Sequence, residues 1–443
     1  MTKDEALALS TDAVAAAIRA GASAAEATFH QSRRFHVEAR QIALGKLEQS
    51  IGRTLSMRIF ANGRRVHLAS SDLTNAGLER AIRAAVEQTA FVTEDPYAAL
   101  PEHCGSFAGD LALYDQTLAE REDAHKIDDA LEMERLVRDE DPRVVNSSGS
   151  HYSDALGLTA FVTSAGFSGA YESTRATLSS APVAEAHGVK RVGHYGTAAR
   201  HAVDLESVPR VAAMAAKRAV EMFGSVKPPT ERMSVIFDRD VAAMVLEDVF
   251  AAISAANVAV GNSWLAGRVG ERIGSDLVTI VDDGTLPGKL GSTPFDGEGV
   301  ATRRTPVFSR GVLDTLLYDT YYARKLGAST TGNSTGSGIG ANNFYLEPGT
   351  DTLEALIAST KRGVLVLETI GFATEHATGS YSRGARGFLI ENGELAHPID
   401  EFTVAGNFAD MLAAVDGVAN DLRFDGAVVS PSFRVSEMTI SGS

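Results

Sequence analysis

Cysteine is almost absent: Cys104 stands alone in 443 residues, which excludes an intramolecular disulfide and any metal cluster built on several thiolates. A zinc ion would have to rely on His and carboxylates. Tryptophan is also single, and no run approaches the ~18 apolar residues of a membrane span. Met1-Thr2-Lys3-Asp4-Glu5 lacks the charged-then-apolar pattern of a secretion signal, so the expected location is the cytoplasm. Basic residues are in deficit, 41 Lys and Arg against 57 Asp and Glu, for a net charge of −16. That field repels phosphate backbones and anionic lipid, and Arg33-Arg34, Arg64-Arg65 and Arg303-Arg304 are isolated pairs. Neither nucleic acid nor membrane is an expected partner.

What is present reads as ordinary globular protein, 44% hydrophobic and 22% charged, with enough chain for more than one core. Apolar residues at helical spacing (Ala6, Leu9, Val14, Ala17) predict a helix from Lys3 to about Ala20. His36–Arg40, Leu55–Phe60 and Val66–Ala69 alternate apolar with polar, and Ala61-Asn62-Gly63 between the last two is a hairpin signal. A second helix follows, capped by Asp72 or Thr74 and carrying Leu78, Ile82, Ala85 and Val86 on one stripe. After a connector at Asp95-Pro96 and Leu100-Pro101 the layout recurs. A helix runs over Thr117–Arg138, strands lie within Val144–Thr174 and Val189–Gly196, and a helix closes the unit over Leu205–Met222.

Ser225–Thr230, with its paired prolines, is the expected boundary. The predicted domains are therefore 1–227, made of two helix-strands-helix units at about 1–95 and 110–225, and a mainly β domain over 230–443. Strands interrupted by single helices without regular alternation predict an α+β fold, with antiparallel sheets and packed helices in both halves.

Isolated residues give little chemistry. The loop Thr331–Gly340 is rich in glycine, yet no Lys-Ser/Thr pair or helix follows it, so a flexible or peptide-facing loop is expected over a phosphate cradle. His187, His194 and His201 recur every seven residues, but Gly188 and Gly196 break any helix that could present them to one metal. No Gly-x-Ser-x-Gly elbow sits between a strand and a helix. Asp282-Asp283, Glu298 and Asp400-Glu401 are carboxylates with turn-forming or solvated roles as the usual explanation.

Longer runs add more: Val281–Thr285, Phe295–Val300, Tyr322–Gly327, Tyr381–Phe388, Ile390–Glu394 and Thr403–Asn407, together with Gly45-Lys46-Leu47-Glu48. Through them nearly the whole chain resembles the TldD/PmbA (TldE) family, metallopeptidases that have also been described as modulators of DNA gyrase. The resemblance implies a two-domain PmbA/TldD-like fold. It also implies two kinds of subunit, of which the TldD type carries H-E-x-x-x-H on a helix and a late Cys around one zinc. Counting back from Gly267–Glu271 places Leu246 and Ala251 at the two histidine positions and Glu247 at the general base. The stretch after Val418–Asp421 contains no cysteine.

These departures match the PmbA/TldE-type subunit. The expectation is a non-catalytic chain, with no metal or cofactor of its own, that completes the chamber of a zinc-bearing TldD-type partner acting on unfolded or leader-like peptides. Tyr381-Ser382-Arg383-Gly384 is expected to face that chamber, because Arg can hold a peptide carbonyl or carboxylate. Two alternatives remain open: a homodimeric peptide-binding protein working alone, and an active peptidase with a relocated site using His376, Glu375 and Glu368.

Overall fold

The computed structural model describes residues 1–371 and 374–442. The N-terminal half opens with α1 (Lys3–Arg19), where Thr2 and Glu5 form a capping box and Ala6, Ala13, Val14 and Ala17 face inward. It continues through β1 (Ala24–Arg40), β2 (Ala43–Ala61), β3 (Arg64–Ser70) and α2 (Asn75–Gln88). Thr74 caps α2 by accepting from Gly77 N, while Asp72 accepts from the Thr74 amide and hydroxyl. Asn62 and Gly63 turn β2 into β3 with φ 52° and 69°, the left-handed pair of a type I′ hairpin.

The second unit comprises α3 (Gln116–Ala119), α4 (Asp123–Glu140), β4 (Val144–Thr163), β5 (Ser168–Ala186), β6 (Val189–Val192), β7 (Tyr195–Ala199) and α5 (Val208–Val220). The single helix expected over Thr117–Arg138 is thus two. Arg121 leaves the helical path between them, pairing with Asp129 at 2.8 Å and lying 5.1 Å from the centre of the Tyr152 ring.

Both units build one sheet, ordered β3-β2-β1-β4-β5-β6 with β7 also on β5. The strands exceed their apolar cores: β1 begins at Ala24, and its polar Gln31-Ser32-Arg33-Arg34 stretch stays extended because β2 and β4 hydrogen-bond it from both sides. One face of the sheet is covered by helices. Phe29, Leu55 and Ile59 pack there with α1 and α2, and Phe35, Val37 and Tyr152 with α4 and α5.

The C-terminal half contains β8 (Glu231–Phe237), α6 (Arg239–Ile253), α7 (Ala255–Ala259), β9 (Ile280–Asp283), β10 (Arg304–Ser309), β11 (Val312–Leu313), α8 (Thr320–Leu326), β12 (Phe344–Leu346), α9 (Leu353–Ala358), β13 (Arg362–Ile370), β14 (Thr374–Glu375), β15 (Ser380–Glu391), β16 (Glu394–Asn407), α10 (Phe408–Ala413), β17 (Val415–Val418), β18 (Val428–Val429) and β19 (Phe433–Ser441). The order β11-β10-β9-β12-β18 makes one sheet. In the other, β13 pairs with β8 on one edge and β15 on its other, so β13, β8, β19, β16 and β15 close into a ring. The fold is α+β, with sheets in both halves.

Arginines stitch the halves together. Arg200 donates to the carbonyls of Lys289, Leu290 and Ser292, and Arg324 to those of Ala99 and Leu100. Among the described residues no helix is long and apolar enough to cross a membrane.

Candidate functional site

Helix α6 carries the positions that the resemblance assigns to metal ligation. Asp238 caps it by accepting from Asp240 N, and Val241, Val245, Leu246, Val249 and Ile253 turn its apolar stripe into the C-terminal core. Leu246 is 3% exposed within that core, Ala251 is half-buried, and Glu247 is exposed beside them. Neither Leu246 nor Ala251 has a lone pair to give, and Leu246 is fixed by apolar packing. The residues present do not fit a zinc ion here.

Packed against α6, Tyr381, Ser382, Arg383 and Gly384 lie on β15. Tyr381 and Arg383, two of the four residues expected to face the chamber, are buried within this chain. Tyr381 is buried at 2% exposure, edge-on to Phe237 and Phe408 with ring centres 6.3 and 5.6 Å away. Arg383 is 8% exposed and donates to Asp248 of α6 at 2.7 Å, and the same carboxylate accepts from the Thr374 hydroxyl at 3.0 Å. Strand alternation turns positions 381 and 383 inward and leaves only Ser382 exposed. Burial pushes the Asp248 carboxyl above its ordinary range, with Arg383 opposing. The arginine is therefore spent on an internal ion pair that ties β15 to α6.

The relocated alternative does not assemble either. Glu368 pairs with Arg386 at 3.2 Å and Glu375 accepts from Thr378. Among the described residues, the only three ligand atoms of His, Cys, Asp or Glu that come within 4.8 Å of one another belong to His36, Glu38 and His151, so His376, Glu375 and Glu368 do not converge. The spaced histidines also part: His187 sits in a hairpin turn with φ 51°, His201 Nε2 lies 2.7 Å from the Ala112 carbonyl, and His194 lines an inter-half cleft of about 980 Å³.

The runs Val281–Thr285 and Phe295–Val300 supply a buried acidic cluster at the junction of the halves. Asp282 is fully buried and accepts from Asn342 N, Asn342 Nδ2 and Asn333 Nδ2 at 2.8, 2.9 and 2.7 Å. Burial still lifts its pKa to about 6. Asp296 accepts from the amides of Glu298, Val300 and Ser334, at 2.9, 2.9 and 3.0 Å, and burial with the nearby Glu298 raises it to about 7. Glu298 accepts from Thr320 N and from Arg58 of β2, each at 2.9 Å, and Arg58 also holds Glu26 of β1. Glu26 is raised to about 7, burial outweighing Arg58.

The glycine-rich loop therefore gives one amide, Ser334 N, to the protein's own Asp296, whose other two amide donors come from its own turn. A Cβ on Gly297 would lie 2.3 Å from Gly336 N, so the two segments meet only because position 297 is glycine. Sequence reasoning weighed the loop and the carboxylates separately and missed their pairing. The available signal was glycine next to an acid in both runs. Beside this junction a cleft of about 390 Å³ is lined by Thr28, His30, Tyr171, Phe295 and Thr335.

Comparison with known proteins follows the same lines. Residues 230–442 match the PmbA/TldA metallopeptidase C-terminal domain and residues 117–223 its central domain. The chain is 30% identical over 433 residues to the "Metalloprotease PmbA homolog" of Haemophilus influenzae, covering 97% of this chain and 94% of that one. It is 31% identical over 390 residues to "Metalloprotease PmbA" of Escherichia coli O157:H7, covering 88% and 85%. The chain belongs to the PmbA/TldD family. A crystal structure of a proposed modulator of DNA gyrase from Bacteroides thetaiotaomicron superposes with a TM-score of 0.94 at 27% identity over the whole of both chains. TldE from Thermococcus kodakarensis, at 21% identity and a TM-score of 0.89 over 98% of this chain and all of that one, shares the fold. Within the PmbA/TldD family, then, this chain has an α6 whose expected ligand positions are apolar.

Proposed function

We propose that this chain is the non-catalytic, TldE/PmbA-type subunit of a two-chain metallopeptidase, completing the chamber of a zinc-bearing TldD-type partner that acts on unfolded or leader-like peptides. The observation that carries this reading is Leu246, seated in the apolar core where an imidazole would be needed. With no metal-activated water, Glu247 has no nucleophile to deprotonate. Peptide would be held by strand addition. Among the described residues, β2 is paired on one edge only from Ala43 to Thr54, where every residue is exposed. Leu44, Leu47 and Ile51 are 51%, 45% and 66% exposed there, an edge of the kind that another strand covers.

The test is reconstitution with a TldD-type subunit bearing H-E-x-x-x-H, followed by hydrolysis of an unstructured peptide. The expected result is no hydrolysis by this chain alone, hydrolysis by the pair, and no change in the pair's rate when Glu247→Gln is made here. Hydrolysis by the lone chain overturns the reading. Tight peptide binding by the lone chain, with no association to the TldD-type subunit, would favour the stand-alone homodimer.

A further inference from the structure

The face of the N-terminal sheet opposite its helices holds a second constellation. β1 and β4 pair so that Glu38 lies across from His151 and His36 across from Ser153. Phe35, Val37 and Tyr152 point into the helix-covered core, so alternation places His36, Glu38, His151 and Ser153 together on the open face. One ligand atom of each of His36, Glu38 and His151 lies within 4.8 Å of the others, and all three side chains are half-buried.

Three observations go beyond proximity. His36 Nδ1 is 2.8 Å from Ser153 Oγ; with that nitrogen donating, Nε2 is left as the lone-pair donor and the ring is fixed by a neighbour, the usual arrangement of a metal-bound imidazole. His151 Nδ1 is buried with no hydrogen-bond partner, a state that protein interiors seldom leave standing. The space is made by Gly149, whose φ is 126°. A Cβ there would come within 2.9 Å of His151 Nε2 and 3.0 Å of Glu38 Cγ.

We propose that His36, Glu38 and His151 bind one divalent cation of the zinc class, with water in the remaining coordination position. Two imidazoles and a carboxylate suit zinc and its transition-metal neighbours better than magnesium or calcium. At a bond length of ~2.05 Å, tetrahedral ligand atoms stand ~3.3 Å apart, so binding draws the three side chains together by rotation. The ion would clamp β1 to β4, the strand pair that joins the two N-terminal units. The site lies on the N-terminal sheet, in the other half of the chain from α6, and does not depend on the proposed function. It departs from the expectation of a metal-free chain.

The test uses the full chain, stripped with chelator and titrated with Zn²⁺ against a chromophoric chelator, with Co²⁺ absorption as a second readout. The expected result is one zinc per chain. His151→Ala, Glu38→Gln and Gly149→Ala should each weaken binding by about tenfold or more, and Glu247→Gln should leave it unchanged. Zinc should also raise the melting temperature of the wild-type chain and not that of His36→Ala/His151→Ala. If the variants misfold, the wild-type Co²⁺ spectrum still decides: intense tetrahedral bands support the site. A weak six-coordinate spectrum, no stoichiometric zinc in the wild type, or one zinc retained by a folded His36→Ala/His151→Ala overturns it.

Discussion

Arg58→Met should open the junction between the halves. Arg58 is 7% exposed and sits between Glu26 and Glu298, themselves 3% exposed. Methionine keeps the volume of the stem and removes the charge, leaving the two buried carboxylates without the cation that bonds both of them. Breaking a buried ion network from one side costs about 3–5 kcal/mol, whereas exposed pairs such as Arg232 with Glu437 contribute under ~1 kcal/mol. For a unit of this size the loss corresponds to a fall in melting temperature on the order of 10 °C.

The pH dependence of that loss has a definite sign. Glu26 is already raised to about 7 with Arg58 present, and removing the cation raises it further. A carboxyl whose folded pKa lies above its unfolded value lends its stability at low pH and loses it as pH rises through the folded pKa. The variant's deficit should therefore be largest at pH 8 and shrink by pH 5, where the folded chain holds the Glu26 carboxyl protonated and uncharged. Thermal and denaturant melts followed by Trp264 fluorescence, which reports the C-terminal half, and by far-ultraviolet circular dichroism measure it. Glu26→Gln added to Arg58→Met should recover part of the loss. A shift under ~2 °C at pH 8, or one equal at both pH values, would refute the reasoning.

Arg383→Met should lower the melting temperature by stranding Asp248, and Asp248→Asn in the same chain should restore part of it. If Arg383 instead contacted peptide, stability would stay unchanged and only the KM of the reconstituted pair would move. Cys104 is half-buried, and that burial, with Glu26, Asp296 and Glu298 nearby, pushes its thiol up to about 11. Iodoacetamide at pH 8 should then alkylate the native chain about a hundredfold more slowly than the denatured one. Equal rates by mass spectrometry would contradict that placement.

The residues of α1, α2 and α5, and the Asn62-Gly63 hairpin, carry their structure locally: apolar stripes at helical spacing, caps at Thr2 and Thr74, and a left-handed turn pair. The family, too, was legible in the runs around Asp282, Asp296 and Arg383, because each run is short enough to be read without its neighbours. What those residues do was not. Arg383 reads alone as an exposed donor in a Ser-Arg-Gly turn, and only the pleat of β15 against α6 buries it on Asp248. The Gly332–Gly340 loop reads alone as flexible, and only folding brings Ser334 N to Asp296 and Gly336 against Gly297. His151 lies more than a hundred residues along the chain from His36 and Glu38, and the antiparallel register of β1 with β4 alone makes it their neighbour. Periodicity and turn chemistry act over a few residues and so are written in the sequence; partners for buried charge come from strand register and from packing between the halves, which the sequence specifies only through the folded chain.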